Sequence, residues 1–166
     1  MAHPTIRRFG TNHAAFGPRG TQWRLTDYHS LSYTDEWGPG VRIYKLKAFA
    51  RFQRKERMDD AALVWAVVAA EAGLVDAELG GGLIKQRIAR TGQGKSGGYR
   101  TVIAFRRGER AVFFFGFAKN ERGNIDGDEL DEFKRLAQGY LDMSAKQIAR
   151  LIDDNELMEV RDGEHD

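Results

Sequence analysis

L-I-K-Q-R-I-A-R-T-G-Q-G-K-S-G-G-Y-R-T-V-I-A-F-R-R-G-E-R-A-V-F-F-F-G-F-A-K-N-E-R-G-N, residues 83–124, holds most of the chain's excess positive charge, its clearest strands and a glycine-rich loop set with cations. Ten Lys and Arg face only Glu109 and Glu121 here, a net of +8. In an extended chain, side chains alternate between two faces. Leu83, Lys85, Arg87 and Ala89 therefore fall on one side, and Ile84, Ile88 and the stem of Gln86 on the other. One face can bury against a core while the other presents Lys85 and Arg87 together. Any single Lys or Arg is ordinarily a solvated charge. Ten in so short a stretch imply a shared purpose.

The rest of the chain balances this segment. The net charge is +2 over 166 residues. Residues 126–166 carry five Lys and Arg against thirteen Asp and Glu, a net of −8. A basic centre beside an acidic C-terminal section points to a polyanionic ligand. The length fits one domain, or one domain with an extension. No cysteine is present, which excludes disulfides, thiolate catalysis and thiolate zinc sites and makes the cytosol the expected compartment. No apolar run approaches the roughly 20 residues that span a bilayer. Arg7 and Arg8 are followed by no hydrophobic segment, so the N-terminus is not a secretory signal.

Residues 1–40 contain all three prolines, scattered aromatics and no sustained periodicity, and read as an irregular extension ending at W-G-P-G, residues 37–40. His3, His13 and His29 have no metal-ligand spacing. V-R-I-Y-K-L-K predicts a strand over 41–47, and Phe49 and Phe52 share a face of a following helix. Asp59 or Asp60 caps a second helix that runs to Gly73, with Leu63, Trp65, Val67, Val68 and Ala70 as core. After a linker, V-D-A-E-L-G-G-G, strands are expected at 83–90, 99–107 and 111–118, the last two joined as a hairpin by R-G-E-R. Asp126 with Glu129 has capping-box spacing and Ile125 with Leu130 that of a hydrophobic staple. The helix over 127–142 aligns Leu130, Phe133, Leu136, Ala137, Tyr140 and Leu141. Ser144 with Gln147 starts another, and L-M-E-V is a short edge strand. The order β-α-α-β-β-β-α-α predicts an α+β domain: a curved antiparallel sheet of about four strands, an N-terminal helical hairpin, C-terminal helices, and all helices on one face. Residues 161–166 form an acidic tail.

Between Val41 and Glu164 there is neither histidine nor cysteine, which removes the usual general base and thiol nucleophile. Ser96 has no base beside it, which argues against a serine hydrolase. Asp126, Asp128, Glu129, Asp131 and Glu132 read as a helix N-terminus favoured by the dipole rather than as a metal site. G-Q-G-K-S resembles a phosphate loop, but the required first glycine is Ala89 and a strand follows instead of a helix. What remains is a loop and strand ends rich in Arg and Lys, with Tyr99, Asn120 and Glu121. That set suits binding an RNA or DNA backbone through bidentate guanidinium–phosphate pairs. It also suits cleaving RNA without a metal: attack by a ribose 2′-OH needs the extra phosphate charge neutralised. A lysine made neutral by crowded cations, or Glu121, can then act as base.

G-K-S-G-G-Y-R-T-V-I-A-F-R, then F-F-F-G-F-A-K-N-E-R and N-I-x-x-x-E-L, resemble the RelE/ParE superfamily of toxins of type II toxin–antitoxin modules, closest to the HigB-like RelE branch, over about 41–160. The resemblance implies a cytoplasmic, cofactor-free and metal-independent endoribonuclease that cuts messenger RNA, usually in the ribosomal A site. It further implies a monomer when free, silenced by a cognate antitoxin, often of helix-turn-helix type. Carried over by motif, Arg100 contacts the scissile phosphate, Lys85 and Arg87 are the cations of the preceding strand, and Lys119 and Arg122 are the basic pair after the central strand. Arg90, Lys95, Tyr99, Arg106 and Asn120 are expected to bind RNA. The chain departs from relatives that carry a second catalytic arginine where Asn120 stands and a C-terminal tyrosine near Asp126. The resemblance begins at Val41, so residues 1–40 read as an extension or as translation from upstream of the native start. Two other functions fit the same residues: a gyrase-inhibiting toxin of the same superfamily and a basic nucleic-acid-binding module without catalysis.

Overall fold

The computed structural model describes residues 15–16, 22–23, 40–90, 97–118 and 125–161. Near the N-terminus, β1 (Ala15–Phe16) and β2 (Gln22–Trp23) pair antiparallel. The domain proper runs β3 (Arg42–Leu46), α1 (Lys47–Lys55), α2 (Asp60–Glu71), β4 (Ala77–Gly80), β5 (Leu83–Ile88), β6 (Tyr99–Arg106), β7 (Arg110–Ala118), α3 (Gly127–Asp142), α4 (Ala145–Asp153) and β8 (Leu157–Glu159). Its strands form one six-stranded sheet in the order β4-β5-β6-β7-β3-β8.

The sheet is mixed, which corrects the expectation of an antiparallel one. β3 and β7 pair in parallel, Ile43 with Ala111 and Tyr44 with Val112, and all other neighbours are antiparallel. After β3 the chain crosses through α1 and α2 to the far edge. The successive reversals β4 to β7 then bring it back beside β3 in the same direction.

Alternation along each strand divides the core in two. Ile43, Ile84, Ile103 and Phe113 point to one face, where α1 and α2 bury Phe49, Leu63, Val67 and Ala70 against them. Tyr44, Val102, Val112 and Phe114 point to the other, beneath Ala137, Leu141 and Ile148 of α3 and α4. Helices therefore lie on both faces rather than one. F-F-F-G-F is apolar nearly throughout because β7 is central and covered on both sides.

Local chemistry explains the element ends. The Asp59 carboxylate accepts from the Ala62 N–H at 2.9 Å, and Asp126 accepts from the Glu129 N–H at 2.9 Å. Ser144 and Gln147 form a reciprocal capping box. On α2 the buried residues include Val64 and Ala66, while Trp65 is only half-buried. Leu136 of α3 is 44% exposed and leaves the expected apolar stripe. Phe49 meets Phe113 with ring centroids 5.1 Å apart. α1 can lie this close to β7 because residue 116 is glycine: a Cβ there would stand 2.3 Å from Phe52 Cε1.

The V-D-A-E-L-G-G-G segment, expected as a linker, contains β4 and its turn. Gly80, Gly81 and Gly82 all have positive φ, which glycine adopts without steric cost. They reverse the chain into β5, with Gly80 opposite Leu83. The Gly81 carbonyl accepts from Gln138 Nε2 at 2.7 Å, tying this turn to α3.

Candidate nucleic-acid interface

The sheet end from which β5 leaves, at which β6 begins and β7 finishes, gathers the strand cations. Gln86 explains which way they face. Its side chain is buried on the α2 side, donating to the Ala66 carbonyl at 3.0 Å and the Leu74 carbonyl at 2.8 Å, and accepting from the Asp76 N–H at 3.2 Å. With a polar amide fully satisfied inside, alternation turns Lys85 and Arg87 to the opposite face, as the sequence pattern implies.

On that face Arg87 is the Cα partner of Arg100, and Arg100 of Phe117. The neighbouring row is Lys85, Val102 and Phe115. Directly opposed residues of antiparallel strands lie about 4.5–5.5 Å apart. β7 carries a bulge here: Val102 pairs with Phe115 but Ile103 with Phe113. The extra residue sends both Phe114 and Phe115 to the α3 side. Phe115 lies 5.9 Å from Phe117 and 5.7 Å from Phe133 between ring centroids, an aromatic wall beside the cations.

The two arginines differ in their partners. Arg87 Nε makes a long ion pair with Asp76 at 3.7 Å, and its side chain is 46% exposed. Arg100 Nη1 is buried and has no hydrogen-bond partner among the described residues. A buried unsatisfied donor costs roughly 1–3 kcal/mol, and like charges directly opposed on a sheet add to that cost. Such a residue is retained at the expense of stability, and an anion supplied from outside relieves both penalties.

Gly98 gives the S-G-G-Y-R motif its geometry. A Cβ at this position would stand 2.8 Å from the Ile88 carbonyl oxygen. Glycine allows the incoming chain to close against β5, which aligns Tyr99 with Ile88 and Arg100 with Arg87.

Not every expected RNA-binding residue belongs to this face. Tyr99 is 2% exposed and lies on the α1 side, its hydroxyl donating to Glu56 Oε2 at 2.9 Å and its ring edge-on to Phe52. Buried there, its ring is not presented for a base to stack on. Arg90 goes with it, its guanidinium 5.7 Å from the Tyr99 ring centroid. Arg106 shares the face of Arg100 but sits six residues further along β6, roughly 20 Å away at the rise of a strand. Its guanidinium is engaged by the Leu141 carbonyl at 2.9 Å and by Asp142 at 2.7 Å. Lys95, Lys119, Asn120, Glu121 and Arg122 lie outside the described residues. Ala118, which precedes Lys119, is the partner of Tyr99.

Asp76 adjoins the site from a segment whose sequence has the look of a linker. The glycine triplet after a short alternating run was the hairpin signal that would have placed it on a strand end beside β5. Among the described residues, no group of three or more His, Asp or Glu is placed to hold a metal ion, and no helix is long and apolar enough to cross a membrane.

The face can therefore grip phosphates: two guanidiniums and one ammonium flanked by aromatic rings, with one buried N–H unsatisfied among the described residues. No curated protein matches the chain. A family model described as the RelE toxin of the RelE/RelB toxin–antitoxin system matches residues 41–160. That span covers the whole mixed sheet, its four helices and the opposed arginines, and the chain belongs to the RelE toxin family.

Proposed function

We propose that this toxin is a metal-independent endoribonuclease that cuts messenger RNA in the ribosomal A site. One observation carries the reading: Arg100 Nη1, buried and without a hydrogen-bond partner among the described residues, on the residue directly across from Arg87. A phosphodiester between the two strands would accept charge-assisted hydrogen bonds from both guanidiniums, which are roughly twice as strong as neutral ones.

In this reaction the 2′-oxygen attacks the adjacent phosphorus. The 2′-O–P bond forms and the P–5′-O bond breaks, leaving a 2′,3′-cyclic phosphate and a 5′-hydroxyl. The proton of the 2′-OH passes to a base, and another protonates the departing 5′-oxygen. Charge builds on the non-bridging oxygens as the phosphorus becomes pentavalent, and pre-aimed cations stabilise that charge most where water is scarce. Arg100 holds those oxygens. Arg87 and Lys85 flank them, and Lys119 and Arg122 complete the cationic set. Phe115 and Phe117 supply the apolar wall that excludes water from one side.

A toxin of such a module has an antitoxin as its partner, and we assign it the role of covering this face. Helix-turn-helix character in that antitoxin, and a monomeric free toxin, are part of the same reading.

The test is to induce wild type and Arg100→Ala separately in cells and map message 5′ ends. Discrete new ends inside coding regions with wild type, absent with a folded Arg100→Ala, are the expected result. Growth arrest with intact messages and a DNA-damage response would replace this reading with inhibition of gyrase. Cleavage undiminished in the variant would place the site elsewhere.

A further inference from the structure

Asp76 lies at the open end of the β4–β5 pair, and three observations single it out. Its carboxylate is the acidic group paired with Arg87, at 3.7 Å. Its backbone N–H is pinned by Gln86 Oε1, and the other end of that amide is pinned by the Ala66 and Leu74 carbonyls. The connector between α2 and β4 is thus stapled to β5 through a buried, fully bonded side chain, which holds the Asp76 backbone beside Arg87 and leaves its carboxylate free to turn. Arg100, opposite Arg87, has no anion of its own among the described residues.

We propose that Asp76 is a positioning residue and internal counter-anion of the RNA site, occupying Arg87 in the free protein and releasing it to an RNA phosphate. This rests on the reading of the face as an RNA site and adds its regulation. Without Asp76 two guanidiniums would oppose each other uncompensated, which disfavours the strand pair. With it, Arg87 is neutralised until a dianionic stretch of backbone arrives. The pair is exposed to solvent, and exposed ion pairs are weak, so phosphates that bridge both arginines displace the carboxylate readily. The arrangement also sets selectivity. An anion that can reach only one guanidinium must compete with Asp76 at Arg87 or take Arg100 alone, whereas a bridging phosphodiester gains both.

The removal of this competitor strengthens RNA binding, and it does so through Arg87. The probe is a single-stranded RNA carrying 2′-deoxyribose in the test codon, which cannot be cut, presented free and on programmed ribosomes. Wild type, Asp76→Asn, Arg87→Ala and the double variant are titrated over a range of salt. Asp76→Asn is expected to bind several-fold more tightly than wild type, with a salt slope changed by less than about one phosphate contact, roughly 0.7 in log–log terms for single strands. In the Arg87→Ala background the same substitution is expected to change affinity little. With a cleavable message, Asp76→Asn lowers KM, the change expected when a competitor for the binding site is removed.

Equal or weaker binding by a folded Asp76→Asn overturns the proposal. So does a gain that persists without Arg87, which would mean long-range charge alone. Should Asp76→Asn not fold, the wild-type Arg87 Nε–Hε resonance decides: it must shift as RNA saturates the protein, and an unmoved signal refutes the release of Arg87. If wild type binds neither free nor ribosome-held RNA, the RNA reading itself falls. If wild type binds and only the Asp76 behaviour is absent, that reading survives.

Discussion

Arg87 and Arg100 stand directly opposite one another on β5 and β6, and only Arg87 has an acidic partner, Asp76, among the described residues. A fold selected for stability alone would not keep a second guanidinium there with one nitrogen buried and, among the described residues, unsatisfied. Replacement of Arg100 by methionine keeps much of the stem's packing and removes both the charge and the orphaned donor. We expect Arg100→Met to be as stable as wild type or more so, by up to about 1–3 kcal/mol. Cleavage should fall by roughly 10²–10³-fold, the usual cost of losing one donor aimed at a developing negative charge. Thermal unfolding and message cleavage on the same preparation check both halves. A destabilised variant that still cuts would separate Arg100 from the reaction.

Gly98 is tested by a single methyl group. Because the atom it would strike is a backbone carbonyl, Ile88 O at 2.8 Å, no side chain can rotate away to make room. Gly98→Ala should destabilise by about 1–3 kcal/mol, as overpacking does, and should also lower cleavage per folded molecule by moving Arg100 relative to Arg87. Gly108 is the control. It has φ of 72° in the β6–β7 turn but open space around its missing Cβ. Gly108→Ala should cost about 1–2 kcal/mol in backbone strain and leave cleavage by the folded fraction unchanged. Denaturant midpoints paired with cleavage rates distinguish the two.

The particular residues show why some of this was legible in the sequence and some was not. Period-two alternation placed Lys85 and Arg87 together because the one polar residue turned inward, Gln86, finds three backbone partners and does not break the pattern. The capping pairs at Asp59, Asp126 and Ser144 were readable because a cap is a contact within one turn. Tyr99 and Arg100 are adjacent in one motif, yet adjacency in a strand sends two side chains to opposite faces. Arg106 lies on the face of Arg100 but at the other end of β6, bonded to α3. β4 was hidden by its glycines, and the parallel β3–β7 pairing depends on the path of the chain through four later strands, which no local pattern encodes. The F-F-F-G-F run did hold the clue to helices on both faces, since an unbroken apolar strand needs cover on each side.

Tyr140 couples stability to alkaline pH. Burial raises its phenol above the ordinary value of 10.0, and the charge of Glu156 adds to the effect. Below about pH 10 the phenol is protonated whether folded or not, and its contribution to stability is fully present. Above that, the unfolded chain ionises first and holds fewer protons, so stability falls as pH climbs through the raised folded value. Tyr140→Phe removes the ionisation while keeping the ring against Phe114, whose centroid is 5.4 Å away. Urea midpoints from about pH 8 to about pH 11 should decline less steeply for Tyr140→Phe. Superimposable curves would show that this phenol does not govern the alkaline loss.

Arg106 and Arg110 form a clamp on the C-terminal end of α3, and the RNA site should not sense its loss. Arg110 Nη1 donates to the Tyr140 carbonyl at 2.7 Å and the Met143 carbonyl at 2.9 Å, while Arg106 holds Asp142 and the Leu141 carbonyl. The last carbonyls of a helix lack intrahelical partners and carry the negative end of its dipole, so cations there satisfy them. Arg110→Ala should cost about 1–3 kcal/mol, the range for charge-assisted bonds at a helix end. Arg106 is half-buried like Arg110, but its bond to Asp142 is exposed to solvent while those of Arg110 are partly buried, and Arg106→Ala should shift the midpoint less than Arg110→Ala. Both positions lie at the opposite end of the sheet from Arg100, about 20 Å along the strand, beyond the roughly 8–10 Å over which salt leaves a charge effective. The salt dependence of RNA binding should therefore match wild type in both variants and flatten in Arg87→Ala and Arg100→Ala. A flattened slope in Arg106→Ala would mean that RNA runs the length of β6, and the site would then be a groove rather than one end of the sheet.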